Sequence, residues 1–230
     1  MIVYLVIPTS ASRPYDAFCR ALGAENVGWV GRNVTRDELV AGVPDRSYRV
    51  LGGTMSMVKA RRLPNVDLFT TIIPDPMVRT MAQWNAAVRE PAHVHHADVH
   101  TFLPNEVFEE NRPFASALSN AATNILAPAG RQKSADAVVA RIKKGPFLVG
   151  FSDHAVAYQA ALAKYLGVEG SSFGPGAFEA RRAEIPRGPV QRALREANVE
   201  DISLIQQLRR LRKRGSNVVY RQGRSPSNGL

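Results

Sequence analysis

The chain has one cysteine, no Asp or Glu beyond Asp201, few aromatic residues and no apolar run long enough to span a bilayer. Each scarcity excludes something. A single thiol, Cys19, permits neither an internal disulfide nor an all-cysteine metal site, and it points to a reducing compartment, cytoplasmic or otherwise intracellular. With Tyr15, Phe18 and Leu22 around it in sequence, Cys19 reads as a small packed residue rather than a reactive one. The apolar opening from Met1 to Ile7 lacks a basic start and a small-residue cleavage site, so it reads as a first strand. Near the basic end Tyr220 stands alone, which leaves no interleaved aromatic platform for reading nucleic-acid bases.

What is present is a 230-residue chain, 45% apolar, able to bury a substantial core as one domain with insertions. Thirty Lys and Arg against twenty Asp and Glu give a formal charge of +10. That excess is concentrated: Arg209, Arg210, Arg212, Lys213, Arg214, Arg221 and Arg224 all follow the last carboxylate. Such an end attracts an anionic partner, whether an acidic protein surface, a polyanionic glycan or nucleic acid bound without sequence preference. No membrane partner is indicated.

The hydrophobic pattern alternates strand and helix. Ile2 to Ile7, Val27 to Val30, Tyr48 to Leu51, Val66 to Ile73 and Phe147 to Phe151 read as short buried strands. After the Pro74-Asp-Pro76 turn, Met77, Val78, Met81 and Trp84 recur at helical spacing. Pro104 to Lys144 reads as helices punctuated by Pro113 and Pro128, and Asp153 to Leu166 as a helix stopped by Gly167. A Gly/Pro-rich loop follows from Ser171, and Val190 to Arg214 reads as one long closing helix with Leu194, Val199, Ile202, Ile205, Leu208 and Leu211 as its stripe. Thr35-x-x-Glu38 has the spacing of a reciprocal N-cap. Alternation of this kind predicts an α/β three-layer sandwich around a mainly parallel sheet, with helical insertions and a long C-terminal helix. The domain spans 1–214, and 215–230 reads as a basic tail.

Six landmarks in order resemble motifs of the bacterial sulfotransferase family. Val6-Ile-Pro-Thr-Ser-Ala-Ser-Arg13 resembles the family's phosphosulfate loop, and Ile73-Pro-Asp-Pro-Met-Val-Arg79 its Leu-Arg-Asp-Pro-x-x-Arg element. Pro91-Ala-His93-Val-His-His96 is similar to a Pro-Asp-His-x-x-His segment, and Asn120-Ala-Ala-Thr-Asn124 to an Asn-x-Gln-Thr-Arg helix. Phe147 to His154 resembles a Phe-Val-Gly-Leu-x-Glu-Arg strand, and Asn198-Val-Glu-Asp201 a final Asn-x-x-Asp helix. The resemblance implies a P-loop-like α/β fold and transfer of a sulfuryl group from 3′-phosphoadenosine-5′-phosphosulfate (PAPS) to a hydroxyl, often on a sugar.

Sulfuryl transfer needs a cradle for the phosphosulfate, a clamp on the 3′-phosphate and a base for the acceptor. By the resemblance, Thr9, Ser10, Ser12 and Arg13 stand at the cradle, although Thr9 replaces the family's lysine and Ser12 its glycine. The clamp arginine and serine are matched by Pro74 and Ala82, leaving Arg79, which an Asp75 partner within the helix could equally explain. The family's glutamine and arginine are matched by Ala122 and Asn124, and its Glu-Arg pair by Asp153 and His154. His93 and His96 are the bases the resemblance nominates. Their cluster with His95, Asp98 and His100 also reads as a polar loop, or as an i,i+4 metal pair at His96 and His100. Val94, Val99 and Pro91 argue against the helix a metal pair would need, so no metal is expected. Gly130-Arg-Gln-Lys133-Ser134 lacks the glycine and strand of a nucleotide loop.

The expectation is therefore a sulfotransferase-like pseudoenzyme that binds no PAPS tightly and serves as a binding or structural component of a larger assembly. The alternative is a divergent active sulfotransferase acting from PAPS on a carbohydrate or other hydroxyl acceptor.

Overall fold

The structure, a computed structural model, describes residues 1–7, 14–31, 48–93, 95–109, 113–128, 133–180, 183–212 and 216–221. Six strands, β1 (Ile2–Leu5), β2 (Val27–Val30), β3 (Val50–Gly53), β4 (Leu68–Ile73), β5 (Phe147–Phe151) and β6 (Val219–Arg221), form one sheet. Their order is β2-β3-β1-β4-β5-β6; the first five run parallel and β6 pairs antiparallel with β5. The helices are α1 (Pro14–Leu22), α2 (Met57–Ala60), α3 (Pro76–Arg89), α4 (His96–Thr101), α5 (Pro104–Glu109) and α6 (Pro113–Leu118). They continue with α7 (Ala121–Leu126), α8 (Ala135–Lys144), α9 (Ala155–Leu166), α10 (Pro189–Ala197) and α11 (Val199–Leu211).

Every residue of β1, β3, β4 and β5 is buried, as parallel strands covered on both faces must be. On one face Ile2, Tyr4, Leu68, Ile72 and Leu148 pack under α1 and α9, with the rings of Phe18, Tyr158, Phe173 and Phe178 edge-on to one another. On the other, Val3, Leu5, Phe69, Phe147 and Val149 pack under α2, α7, α8 and α11. Two threonines sit inside β4 without polar loss: Thr70 Oγ1 donates to Leu148 O at 3.0 Å and lies 2.8 Å from the Tyr158 hydroxyl, and Thr71 Oγ1 donates to Leu5 O at 2.8 Å. Helices α3 to α6 and α10 make a third apolar cluster around Trp84, Phe108, Phe114 and Leu194, off the sheet. The α/β class and the mainly parallel sheet are thus as expected, with the helical insertion forming its own small core.

Three local expectations change. The closing helix is two helices, broken at Asn198 (φ −117°, ψ 24°), because that side chain bonds to Leu194 O and Arg79 in place of continuing the helical ladder. Val199 consequently leaves the apolar stripe and is exposed. Residues 96–101, expected not to be helical, form α4, held by ring hydrogen bonds from His96 and His100 to carbonyls of α3. Residues 219–221 of the basic tail form the edge strand β6. The Thr35 to Glu38 capping pattern lies outside the described residues, whereas Ser134 of the rejected nucleotide-loop pattern is the N-cap of α8, accepting from Ala137 N at 3.3 Å.

Close packing of β5 against α9 is testable. A Cβ at Gly150 would lie 2.4–2.6 Å from three Tyr158 atoms, one of them its backbone-proximal Cβ. Gly150→Ala should lower stability by about 1–3 kcal/mol, read as a shifted urea midpoint at constant m-value.

Candidate functional site

From β1 the chain crosses to β2 on one side of the sheet, while β4 leads to β5 on the other. The crevice outside the carboxyl ends of β1 and β4 is therefore a topological switch point, the place where open α/β sheets bind ligands. Thr9, Ser10, Ser12 and Arg13 follow β1 and lie outside the described residues. The β4 lip is described, and its chemistry runs against anions. Asp75 is the N-cap of α3, with Oδ1 accepting from Met77 N at 3.0 Å and Val78 N at 2.9 Å, so the helix's own carboxylate occupies the donors a phosphate would use. Pro74 and Ala82, the residues that the resemblance sets against a phosphate clamp, are buried and carry no donor side chain.

Two adjoining cavities of about 520 and 690 Å³ lie next to this crevice, at the carboxyl ends of β4 and β5, sharing Asp75, Ser152 and Asp153. Asp153 Oδ2 pairs with Arg209 Nη2 at 2.6 Å, and His154 Nε2 is 4.0 Å from the same oxygen. The Arg209 and Arg212 guanidinium groups lie 5.3 and 5.8 Å from the centre of the Phe151 ring, a cation–π arrangement at the end of β5. Arg195 also lines the first cavity and Glu179 the second. Among the described residues, then, three carboxylates (Asp75, Asp153 and Glu179) stand with three arginines (Arg195, Arg209 and Arg212), of which Arg209 is already paired. The polar lining is close to balanced and offers no concentrated positive field for a ligand with several negative charges.

Arg79 does not face this crevice. It is 2% exposed, and its Nη2 donates to Asn198 Oδ1 at 3.0 Å, to Thr80 Oγ1 at 3.2 Å and to Leu118 O. No side-chain pair with Asp75 forms. Burial pushes the guanidinium below its usual value, and the nearby Asp201 and Asp75 carboxylates oppose that shift.

Around Arg79 lies a polar knot that single-residue reasoning had not assembled. Asp201 accepts from Ala122 N at 3.0 Å and Thr123 N at 2.7 Å, capping α7. In return Asn120 Oδ1 accepts from Glu200 N at 2.9 Å and Asp201 N at 3.1 Å, capping α11. Glu200 accepts from Ala135 N at 2.6 Å at the start of α8, and Asn198 Oδ1 accepts from Asn120 N at 3.3 Å. Asn and Asp just before or within the first turn of two helices were the available signal.

The histidines are gathered elsewhere. His96 Nδ1 is 2.8 Å from Ala87 O and His100 Nε2 is 3.2 Å from Val88 O, so both rings donate to free carbonyls at the end of α3. His95 Nδ1 lies 3.0 Å from Asp98 Oδ2, and His93 Nδ1 accepts from His95 N at 3.2 Å. Because α3 has 14 residues, its ends are about 21 Å apart at 1.5 Å per residue. His93 and His96 sit at the end away from Asp75, and the structure does not bring them to the crevice. Among the described residues no group of three or more His, Cys, Asp or Glu is placed to hold a metal, and no helix is long and apolar enough to cross a membrane. No family model matches the chain, and no curated protein matches it.

The two aspartates with partners separate structure from surface. Asp201→Ala leaves two buried N–H groups without their acceptor and removes one of the two carboxylates near Arg79, and should cost about 2–5 kcal/mol. Asp153→Ala removes a half-exposed pair and should cost under about 1 kcal/mol. Equal losses in urea denaturation would refute the assignment of the knot as the structural centre.

Proposed function

We propose that the protein is a sulfotransferase-like scaffold that does not use PAPS efficiently and works as a binding or structural component of a larger assembly. One observation carries this reading: the residues it shares with the family's motifs are engaged in holding helices together. Asp75 and Pro76 start α3; Arg79, Asn120, Asn198 and Asp201 form the buried knot. Where the family directs cations and amides at the donor, this chain has Pro74, Ala82, Ala122 and Asn124. Asn124 turns its amide back to Ser119 O at 2.9 Å. Losing one charge-assisted contact costs roughly 1.5–3 kcal/mol, so two losses at the 3′-phosphate alone reduce affinity by two orders of magnitude or more. A scaffold can persist when its site does not.

The cavities at the carboxyl ends of β4 and β5 favour a second reading, since their volumes suit a small ligand. A divergent sulfotransferase would cradle phosphosulfate with Ser10, Ser12 and Arg13 and bind a hydroxyl acceptor in the crevice. Its base would have to be a group other than His93 or His96, which lie one helix length away.

Calorimetry with adenosine 3′,5′-bisphosphate at low salt decides between them. No binding tighter than about 1 mM is expected, whereas a micromolar dissociation constant would establish the enzyme reading.

A further inference from the structure

Among the described residues, positive charge is unevenly divided between the two helical layers. The helices on one face of the sheet carry three carboxylates, and all three are engaged at helix starts: Asp201 and Glu200 as caps, and Asp136 accepting from Gln207 Nε2 at 2.7 Å. Residues 54–66, 137–144 and 202–212, which belong to this layer, contain no Asp or Glu. They contribute Arg61 and Arg62 after α2, then Arg141, Lys143 and Lys144 in the last turn of α8, then the arginines of α11. Arg61 lies close enough to Arg141 to repel its charge. On the opposite layer α1 and α9 carry only Arg20 and Lys164 as cations.

Between α8 and α11 runs a groove of about 370 Å³ lined by Lys143, Arg210, Ser203, Gln206 and Gln207, with no carboxylate among its lining residues. Lys143, Lys144 and Arg210 are exposed and form no ion pair with any described residue. Cations interleaved with hydroxyls and amides are the side chains that grip phosphate oxygens. What this layer lacks narrows the partner. Of the exposed large apolar side chains among the described residues, only Val199 belongs to it. A protein partner would need buried aromatic or aliphatic anchors at the interface centre, and single-stranded nucleic acid would need rings to stack its bases. Duplex nucleic acid needs neither, because its backbone presents regularly spaced charges and releases counterions on contact.

We propose that the α8–α11 face binds the phosphate backbone of double-stranded nucleic acid without reading its sequence. This stands independently of whether the crevice binds PAPS: Gln206 lines both surfaces, but Lys143 and Arg210 line only the groove. Binding is electrostatic, so affinity falls linearly with salt on logarithmic axes, by about 0.9 per phosphate neutralised.

The test is fluorescence anisotropy of the full chain with two unrelated duplexes of about 25 base pairs, titrated from about 50 to 200 mM salt. Equal micromolar affinities at low salt, with a slope of about −4 or steeper, are expected. The double reversal K143E/R210E should weaken low-salt binding at least tenfold and flatten the slope by about 2. K164E/R192E, which changes net charge equally on α9 and α10, should stay within about threefold of the parent. Thermal melts by circular dichroism report whether each variant folds, and K143Q/R210Q gives a milder variant with an intermediate loss. A slope shallower than −2, tighter binding to single strands, equal loss in both double reversals, or affinity for polyglutamate without affinity for duplex would each overturn the proposal.

Discussion

A guanidinium with 2% exposure must be met by oxygen atoms fixed in place, and meeting Arg79 ties the molecule together. Its side chain comes from α3, in the helical cluster off the sheet. Its acceptors come from the end of α6 and from Asn198, the joint between α10 and α11. Asn198 holds Asn120, Asn120 caps α11, and Asp201 of α11 caps α7. The helical cluster is thereby locked to the layer that covers the sheet. Desolvating the charge is expensive, and the Arg79 Nε and Nη1 atoms have no partner among the described residues. Such a group is a poor source of stability, but it discriminates strongly against any arrangement in which α6, α7 and α11 do not converge.

That knot explains which parts of the structure sequence patterns could disclose. The apolar β-branched runs of β1, β4 and β5 read correctly because burial on both faces of a parallel sheet demands them whatever surrounds it. The start of α3 after the Pro74-Asp75-Pro76 turn is legible because turn and helix spacing are local, although the capping role of Asp75 is not part of that reading. The break at Asn198 did not, because the residue's helix-breaking bonds run to Arg79, 119 positions away. Likewise α4 is helical against its local pattern, since its histidines find acceptors on a neighbouring helix. β6, three residues long, carries too little pattern to be distinguished from a tail. Local chemistry was legible; bonds between distant segments were not.

The same distinction applies at the site. The position of the crevice follows from strand order, and its location at the β4 corner was readable from an apolar strand meeting a capped helix. Its electrostatics were not, because Arg209 reads from sequence as one of the unmatched cations of the basic end and instead pairs with Asp153 over the end of β5. Arg79 looked like a survivor of a ligand clamp and instead points into the knot. A residue that matches a family motif can thus serve the fold alone, which is why such matches do not by themselves argue for the family's activity.

Charge distribution sets the crevice apart from the α8–α11 layer. In the crevice, the described cations stand beside carboxylates, and Asp75 occupies the first free donors of α3. On the α8–α11 layer the three carboxylates sit at helix starts, where Asp201 and Glu200 cap free N–H groups and Asp136 accepts from Gln207, while Lys143, Lys144 and Arg210 toward the helix ends form no ion pair with any described residue. Capping and helix-dipole effects alone would put carboxylates at one end of a helix and cations at the other. They do not account for three such cation-rich stretches, free of Asp and Glu, meeting on one layer while the other layer is sparsely charged. Because like charges brought together destabilise a fold, their clustering costs stability that an anionic partner would return on binding.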